Sequence, residues 1–374
     1  MNEVMLRLES VDKFYGPIDV GVHAVKDVSM TIEVGDIVAL LGSSGCGKTS
    51  TLRMVAGFES TSRGKIHLAG REVQNLRPVL RNVAMAFEGY SLYPTVSVRE
   101  NIAFALKSAR LGASKVAEKV KEISDMLEIS DILDRSPTSI SGGQQQRVSL
   151  ARALIRKADL YLLDEPMGQL EPQLRTLLRG RIKHFIKERG LTAILVTHDQ
   201  TEANALADKI AVMEDGEMQQ FASPSLIKDR PANLFTGTFV GEPPMNVFPA
   251  TAVVKGRKLS LHLGGDLELS YSKSQFADDV SAKLIEAKNV VVGIRPYAVK
   301  RSSKGAAAQV IANQWLGDQS HIAAKFADGT IVLVEHDRAA LDEGQEILVR
   351  LDPSDLHIFD PQTGEAMSHG RDMA

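Results

Sequence analysis

The chain has 374 residues, 44% apolar and 24% charged, with 44 basic and 47 acidic side chains and a formal net charge of −3. That length accommodates two domains with sizeable cores, and the near-balanced charge gives no electrostatic footprint for nucleic acid, which is marked by a clustered basic excess. The single cysteine, Cys46, excludes an internal disulfide and fits a reducing compartment. The first ten residues carry an early acid and no apolar block of signal-peptide length, and no apolar run reaches the ~18 residues of a membrane span. A role at a membrane would therefore be that of a peripheral subunit held by other chains.

Short apolar runs bounded by turn or polar residues predict buried strands at Ile37–Leu41, Val83–Phe87, Leu160–Leu163 and Ala193–Thr197. Helical patterns lie between them near Lys48–Ala56, Lys115–Leu127, Gln144–Arg156 and Pro172–Glu188. Strands alternating with helices predict an α/β domain around a mainly parallel sheet. Asp215-Gly216, between Ile210–Met213 and Met218–Phe221, predicts a hairpin. The pattern changes after Gly241. Glu242-Pro243-Pro244 and Pro249 mark a linker, and short β-type segments follow at Lys258–Leu263, Leu267–Tyr271, Val290–Ile294, Ile331–Glu335 and Glu346–Leu351. Asp328-Gly329 is a second hairpin turn, and closely spaced short strands suggest a small sandwich or barrel. The expected domains are 1–238 and 239–374.

Gly42-Ser43-Ser44-Gly45-Cys46-Gly47-Lys48-Thr49 follows a predicted strand and opens a predicted helix, the context a G-x-x-x-x-G-K-[ST] phosphate loop requires. Glycines let successive N–H groups turn toward phosphate oxygens, and the helix N-terminus adds a favourable dipole. Lys48 would reach the β- and γ-phosphates and Thr49 would hold Mg²⁺. Leu160–Leu163 runs into Asp164-Glu165, which places two carboxylates at the C-terminal end of a strand, the edge where open α/β sheets bind ligands. Asp164 would complete the metal shell, and Glu165 would polarise the attacking water. Ala193–Thr197 ends in His198-Asp199, where His198 could meet the γ-phosphate and orient Glu165 or water.

A phosphate loop with an acidic strand end fits kinases, GTPases, helicases and transport ATPases alike. The segment Ser141-Gly142-Gly143-Gln144-Gln145-Gln146-Arg147 discriminates among them, because two glycines after a serine open a second anion-binding helix end. Two such ends in one chain suggest a head-to-tail dimer in which each chain closes the other's nucleotide site.

Here the first domain resembles the ATP-binding-cassette family along nearly its whole length. Ile140–Gln144 is similar to its signature motif, with Ser141, Gly142, Gly143 and Gln144 as nucleotide contacts. Phe14-Tyr15-Gly16 resembles the adenine-stacking loop, with Tyr15 as the platform. Asp164-Glu165-Pro166 and Val196–Asp199 resemble its acidic-strand and switch-histidine segments. Glu242–Asn246, Gly293–Pro296 and Trp315–Asp318 resemble the accessory (TOBE or OB-like) domain of bacterial importer ATPases of the maltose and glycerol-phosphate type.

The resemblance implies an α/β P-loop ATPase domain with a helical subdomain, followed by a smaller all-β, OB-like barrel. It implies an ATPase using ATP and Mg²⁺, on the cytoplasmic side of the cell membrane, that energises import of a sugar, sugar phosphate or polyol such as glycerol. Its partners would be a second ATP-binding subunit, two membrane-spanning permease subunits and, indirectly, an extracytoplasmic solute-binding protein. The Glu88–Pro94 loop and the helix after it resemble the surface that grips the membrane subunits.

Two positions depart from the family. Glu88 stands where glutamine is usual; it can still offer oxygen to Mg²⁺, but it brings a negative charge near the γ-phosphate. Gly168-Gln169-Leu170-Glu171 stands where Ser-x-Leu-Asp is usual. These departures raise the alternative of a low-turnover or regulatory subunit paired with a distinct, more active ATPase, against a homodimer with tolerated variation. A soluble cassette ATPase of DNA repair or translation fits less well, since those usually carry two cassettes or long coiled-coil insertions.

Overall fold

The computed structural model describes residues 3–18, 20–264 and 267–370. The chain begins with a long antiparallel pair, β1 (Val4–Tyr15) and β2 (Val22–Glu33), followed by β3 (Ile37–Gly42), α1 (Lys48–Ala56), β4 (Arg63–Leu68), β5 (Arg71–Glu72) and β6 (Val83–Ala86). Next come α2 (Val98–Phe104), α3 (Ala113–Met126), α4 (Gly142–Leu154), β7 (Leu160–Asp164), α5 (Pro172–Glu188), β8 (Ala193–Thr197), α6 (Gln200–Leu206), β9 (Lys209–Glu214) and β10 (Glu217–Ala222). Strands β2-β1-β4-β5 form an antiparallel sheet, while β10-β9-β3-β8-β7-β6 form a second sheet, parallel from β9 to β6. Every residue of β3, β7 and β8 is buried, which explains their uninterrupted apolar sequences. Helices α2, α3 and α4, inserted between β6 and β7, pack on one another as a helical layer. The predicted hairpin at Asp215-Gly216 joins β9 to β10, with both residues at positive φ.

The P-loop helix α1 is secured from behind by a buried cation. Arg81, 1% exposed, donates through Nη1 to Met54 O and Val55 O at 2.6 and 3.0 Å, through Nε to Leu76 O and through Nη2 to Gln74 O, both at 2.9 Å. Met54 and Val55 lie in the last turn of α1, whose carbonyls lack helical partners and carry the negative end of the helix dipole. Burial lowers the Arg81 pKa, and the carbonyl oxygens replace the lost water.

The second compact unit begins at Ser225, one residue into α7 (Pro224–Asp229), and includes α8 (Leu234–Phe239). This division precedes the expected boundary between residues 238 and 239. Arg295, 3% exposed, explains the difference. It donates to Lys228 O at 3.1 Å, Gly237 O at 2.7 Å and Val240 O, so the ends of both helices are bound to the strand-end that carries it.

The unit continues with β11 (Asn246–Lys255), β12 (Lys258–His262), β13 (Glu268–Ser272), α9 (Asp278–Ala287), β14 (Asn289–Ile294), β15 (Lys300–Trp315), β16 (Ser320–Phe326), β17 (Gly329–Glu335), β18 (Glu346–Arg350), β19 (Leu356–Phe359) and β20 (Ala366–His369). Two antiparallel sheets, β13-β12-β11-β14-β19-β20 and β17-β16-β15-β18, share one apolar core in which the Phe248 and Phe326 rings meet edge to face at 5.3 Å. Buried Asn246 ties the sheets together: Nδ2 donates to Val332 O at 2.8 Å and Oδ1 accepts from the Val332 N–H at 2.7 Å.

Pro249, expected in a linker, lies instead within β11 opposite Val291. β12 reaches β11 only from Thr251 onward, so the missing N–H falls where the strand has a neighbour on one side only. Trp315 and Asp318 lie at the β15–β16 connection, with Trp315 40% exposed rather than part of the core.

Arg81→Met should leave buried carbonyls unpaired and cost about 3 kcal/mol, lowering the thermal midpoint by roughly 6–12 °C for a unit of this size; calorimetry of the full chain reads this. A second expectation concerns His357, 7% exposed, whose pKa is held down to about 3 by burial and then by His369 and Arg295. Its imidazole stays neutral in the folded chain but protonates near 6.5 when unfolded, so stability is complete above pH ~6.5 and declines as pH falls toward 3. His357→Phe should flatten that slope between pH 6.5 and 4. Urea unfolding followed by the fluorescence of Trp315, the single tryptophan and a resident of the same unit, measures it.

Candidate functional site

The register of the parallel sheet aligns three strand ends. Leu41 at the end of β3 pairs with Thr197 of β8, and Asp164 at the end of β7 pairs with Val196. The loop Gly42–Gly47, the Asp164-Glu165 pair and His198 therefore emerge from one edge. Gly47 is the N-cap of α1 at φ +97, and a Cβ there would lie 2.4 Å from Ala24 O, so only glycine fits.

Lys48 is buried with its ammonium folded into the loop, donating to Gly42 O at 2.9 Å and Ser43 O at 2.7 Å. Cys46 is also buried, with Sγ 3.5 Å from Lys48 Nζ. One turn along, the Thr49 hydroxyl donates to Asp164 Oδ1 at 3.5 Å, joining the two oxygen ligands expected for a hard cation. Asp164 is 3% exposed, and its pKa is raised to about 6 by burial first and then by the charge of Glu88. Such a carboxylate is one that a bound cation would keep ionised. Glu88 is exposed on the connection after β6 and also raises the Tyr90 pKa, after burial. Among the described residues no three His, Cys, Asp or Glu cluster as a metal cage, so Thr49, Asp164 and Glu88 would hold Mg²⁺ only with oxygens from nucleotide and water.

Glu165 occupies the left-handed region at φ +46, a conformation that costs a residue with a Cβ roughly 1–2 kcal/mol. It is retained by its N–H donating to Val196 O at 2.9 Å, and its Oε1 lies 2.9 Å from His198 Nδ1. The strained backbone thus turns the carboxylate from β7 toward the end of β8. Tyr15, at the end of β1, is 40% exposed and stands over the start of α1, with its hydroxyl 3.1 Å from Ser50 Oγ.

Ser141 caps α4 and forms a reciprocal capping box with Gln144: Gln144 N–H donates to Ser141 Oγ at 3.3 Å and Ser141 N–H to Gln144 Oε1 at 3.0 Å. This explains why the helix starts at Gly142, two residues before the Gln144 start expected from the sequence. A Cβ on Gly142 would meet the Tyr90 hydroxyl at 3.5 Å, and one on Gly143 would meet Gln169 O at 2.9 Å. Thus the structure gathers Gly42–Thr49, Glu88, Asp164, Glu165 and His198 at one sheet edge, with Tyr15 at the first turn of α1. Ser141–Gln144 lie instead beside Tyr90 and the 168–170 loop, whose atoms are the nearest to a Cβ placed on Gly142 or Gly143. Glu171 is the N-cap of α5 without a side-chain cap bond.

Two residues that sequence reasoning did not single out complete the arrangement. Gln146 and Arg175 bind the Gly168–Leu170 loop from either side. Gln146 is a polar residue on the buried stripe of α4, a signal visible in helical periodicity; Arg175 carries no comparable signal.

Comparison with known proteins shows the family. The ABC transporter family model matches residues 25–168, the MalK OB fold domain 241–298 and the TOBE domain 292–359. The chain is 38% identical over 371 residues to the sn-glycerol-3-phosphate import ATP-binding protein UgpC of Cereibacter sphaeroides, covering 98% of this chain and 100% of that protein. It is 36% identical over 380 residues to the trehalose/maltose import ATP-binding protein MalK of Thermococcus litoralis, covering 97% and 99%. Over 296 residues, 78% of this chain and 72% of the relative, it is 41% identical to the trehalose import ATP-binding protein SugC of Mycobacterium tuberculosis. The dimeric ATP-binding cassette MJ0796, solved in a post-hydrolysis state with ADP and phosphate, superposes with a TM-score of 0.55 at 25% identity, covering 59% of this chain and 98% of that one. With its phosphate loop, acidic strand end and histidine at one sheet edge, and full-length relatives at this level of identity, the chain belongs to the ATP-binding-cassette transporter family as an ATP-hydrolysing subunit with a C-terminal OB/TOBE unit.

Proposed function

We infer that this subunit binds Mg²⁺-ATP between its own phosphate loop and the Ser141–Gly143 turn of a second ATP-binding subunit, and hydrolyses it to drive import of a small solute. The observation that carries this is the pair of contacts at one sheet edge, Thr49–Asp164 and Glu165–His198, beside the glycine loop. The solute class, a sugar, sugar phosphate or polyol such as glycerol, and the inward direction are supported by the relatives, which are named for glycerol phosphate, trehalose and maltose import.

Tyr15 stacks on the adenine. The N–H groups of Gly42–Gly47, with Ser43, Ser44, Gly45 and Cys46 between them, and the N-terminus of α1 take the phosphates. Lys48 exchanges its two carbonyl partners for phosphate oxygens, whose charge holds an ammonium more strongly. Thr49, Asp164 and Glu88 would hold a magnesium ion, which would supply charge neutralisation at the phosphate oxygens. Glu165 accepts a proton from the attacking water, and His198 fixes the direction of its carboxylate. The O–Pγ bond forms from water as the bond from Pγ to the bridging oxygen of ADP breaks.

Binding of the triphosphate by both subunits closes the pair, and loss of the γ-phosphate lets it reopen. The second subunit is another copy of this chain or a distinct ATPase. Two membrane-spanning permeases are the further partners, with an extracytoplasmic solute-binding protein acting through them. A groove of about 540 Å³ lined by Phe87, Tyr90, Tyr93, Phe104, Lys107 and Arg152 supports docking of a permease beside the Glu88–Pro94 loop. Among the described residues no helix is long and apolar enough to cross a membrane; the peripheral position on the cytoplasmic face rests on the permease partners proposed here.

Glu165→Gln should retain ATP binding and lower kcat by about 100-fold or more, the scale of a lost general base, with His198→Ala lowering kcat by a similar order. A phosphate-release assay on the assembled transporter checks both, and full turnover in Glu165→Gln would refute the assignment. Glu88→Gln removes a negative charge facing Asp164 and the γ-phosphate. It should lower the KM for ATP about threefold and raise the half-saturating Mg²⁺ concentration by a similar factor, as read by titrating each separately.

A further inference from the structure

Gln146 is 4% exposed on α4, two residues past the Ser141–Gln144 segment. A polar side chain so buried needs its hydrogen-bonding groups engaged, and both ends of this amide are. Nε2 donates to Glu165 O at 2.6 Å, and Oε1 accepts from the Gln169 N–H at 2.9 Å. One side chain of the signature helix therefore grips the backbone of the strained Glu165 and of the loop that follows it.

Three further residues, Gly168, Gly143 and Arg175, make this bridge stiff. The Gly168 N–H donates to the same Glu165 O at 3.3 Å. Gly143 brings α4 so close to Gln169 O that a Cβ would stand 2.9 Å from it. From the other side Arg175 donates through Nη2 to Leu170 O at 3.2 Å and Gly168 O at 3.4 Å, and through Nη1 to Asp199 Oδ2 at 3.0 Å. Asp199 follows His198 and caps α6 by accepting from the Glu202 N–H at 2.9 Å. The start of α4, the 168–170 loop, Glu165 and the turn carrying His198 are thus one hydrogen-bonded body.

We propose that Gln146 is a positioning residue that couples the two nucleotide sites of the paired ATPase. The N-terminus of α4 faces the partner's nucleotide, whereas Glu165 and His198 serve this chain's own nucleotide. A shift of α4 on closure over the partner's triphosphate is passed through the Gln146 amide to the Glu165 backbone, setting the carboxylate and its contact with His198. The inference rests on the head-to-tail pairing proposed above. An amide suits the task because it offers one donor and one acceptor to two fixed backbone partners.

The test compares Gln146→Leu and Gln146→Glu with wild type in the assembled transporter, measuring ATP turnover against ATP concentration from pH 6 to pH 9, with melting curves and ATP affinity alongside. At pH 8 both variants should lose about tenfold in kcat with KM for ATP within about twofold, and the Hill coefficient for ATP should fall toward about 1. A glutamate there is neutral at low pH, since burial raises a carboxyl pKa. Its O–H can then donate to Glu165 O while its carbonyl accepts from Gln169. Gln146→Glu should consequently regain activity relative to wild type as pH falls to 6, and Gln146→Leu should not. Wild-type turnover and cooperativity in either variant, or equal pH-independent losses with an unchanged Hill coefficient, would overturn the coupling role. Should Gln146→Leu fold poorly, the pH response of Gln146→Glu decides by itself. A wild-type chain without cooperative turnover would overturn the pairing and this proposal together, whereas cooperative wild type with unaffected variants overturns the coupling alone.

Discussion

The parallel register of β3, β8 and β7 is the constraint from which the rest of the site follows. Leu41 is level with Thr197 and Val196 with Asp164, so three chain segments widely separated in sequence leave the sheet side by side. All three strands are buried throughout, and a slip of one residue would invert every side chain in a layer covered on both faces. The energetic weight of the core is thereby applied to the placement of a few polar atoms just beyond it. Catalysis of phosphoryl transfer is chiefly positioning and electrostatic stabilisation, and an edge fixed by hydrophobic packing supplies the positioning.

Electrostatics at that edge is deliberately unbalanced. Asp164 is almost fully buried near Glu88 and Glu165, an arrangement that raises its pKa and that a divalent cation relieves. Two buried guanidinium groups, by contrast, lie among backbone carbonyls. Arg81 closes the end of α1, and Arg295 gathers the ends of α7 and α8. Both guanidinium groups exploit the same physics, a rigid fork of donors meeting carbonyls that a helix terminus cannot satisfy internally. They explain why the P-loop helix has a firm base and why two helices that precede the proline-rich segment belong to the second unit.

The signature segment shows how one stretch of sequence serves two purposes. Ser141 and Gln144 satisfy each other in a capping box, which fixes the start of α4, while the glycines between them keep the helix end bare and close to Gln169. Gln146, one turn in, ties that helix to Glu165. At the Gly168 departure nothing requires glycine, because a Cβ there would meet Glu165 Oε2 at an ordinary 3.5 Å. At Glu171 the chain begins α5 without a side-chain cap.

What the sequence determined by itself were the features whose physics is local. The glycine loop between a strand and a helix, the two carboxylates ending an apolar run and the serine–glycine helix start each need neighbouring residues only, so they are readable in order along the chain. The short buried strands were legible for the same reason. β1 and β2 were not, because their apolar residues alternate with charged ones and acquire a meaning only when the two strands and β4 pair. Pro249 misled because proline is a break in isolation but harmless at a strand position with a neighbour on one side. Arg81, Arg295, Gln146 and Arg175 could be assigned only by the tertiary structure. Their partners, chiefly backbone atoms, lie up to 67 residues away, and no local pattern records which carbonyl a folded chain will bring to a buried donor.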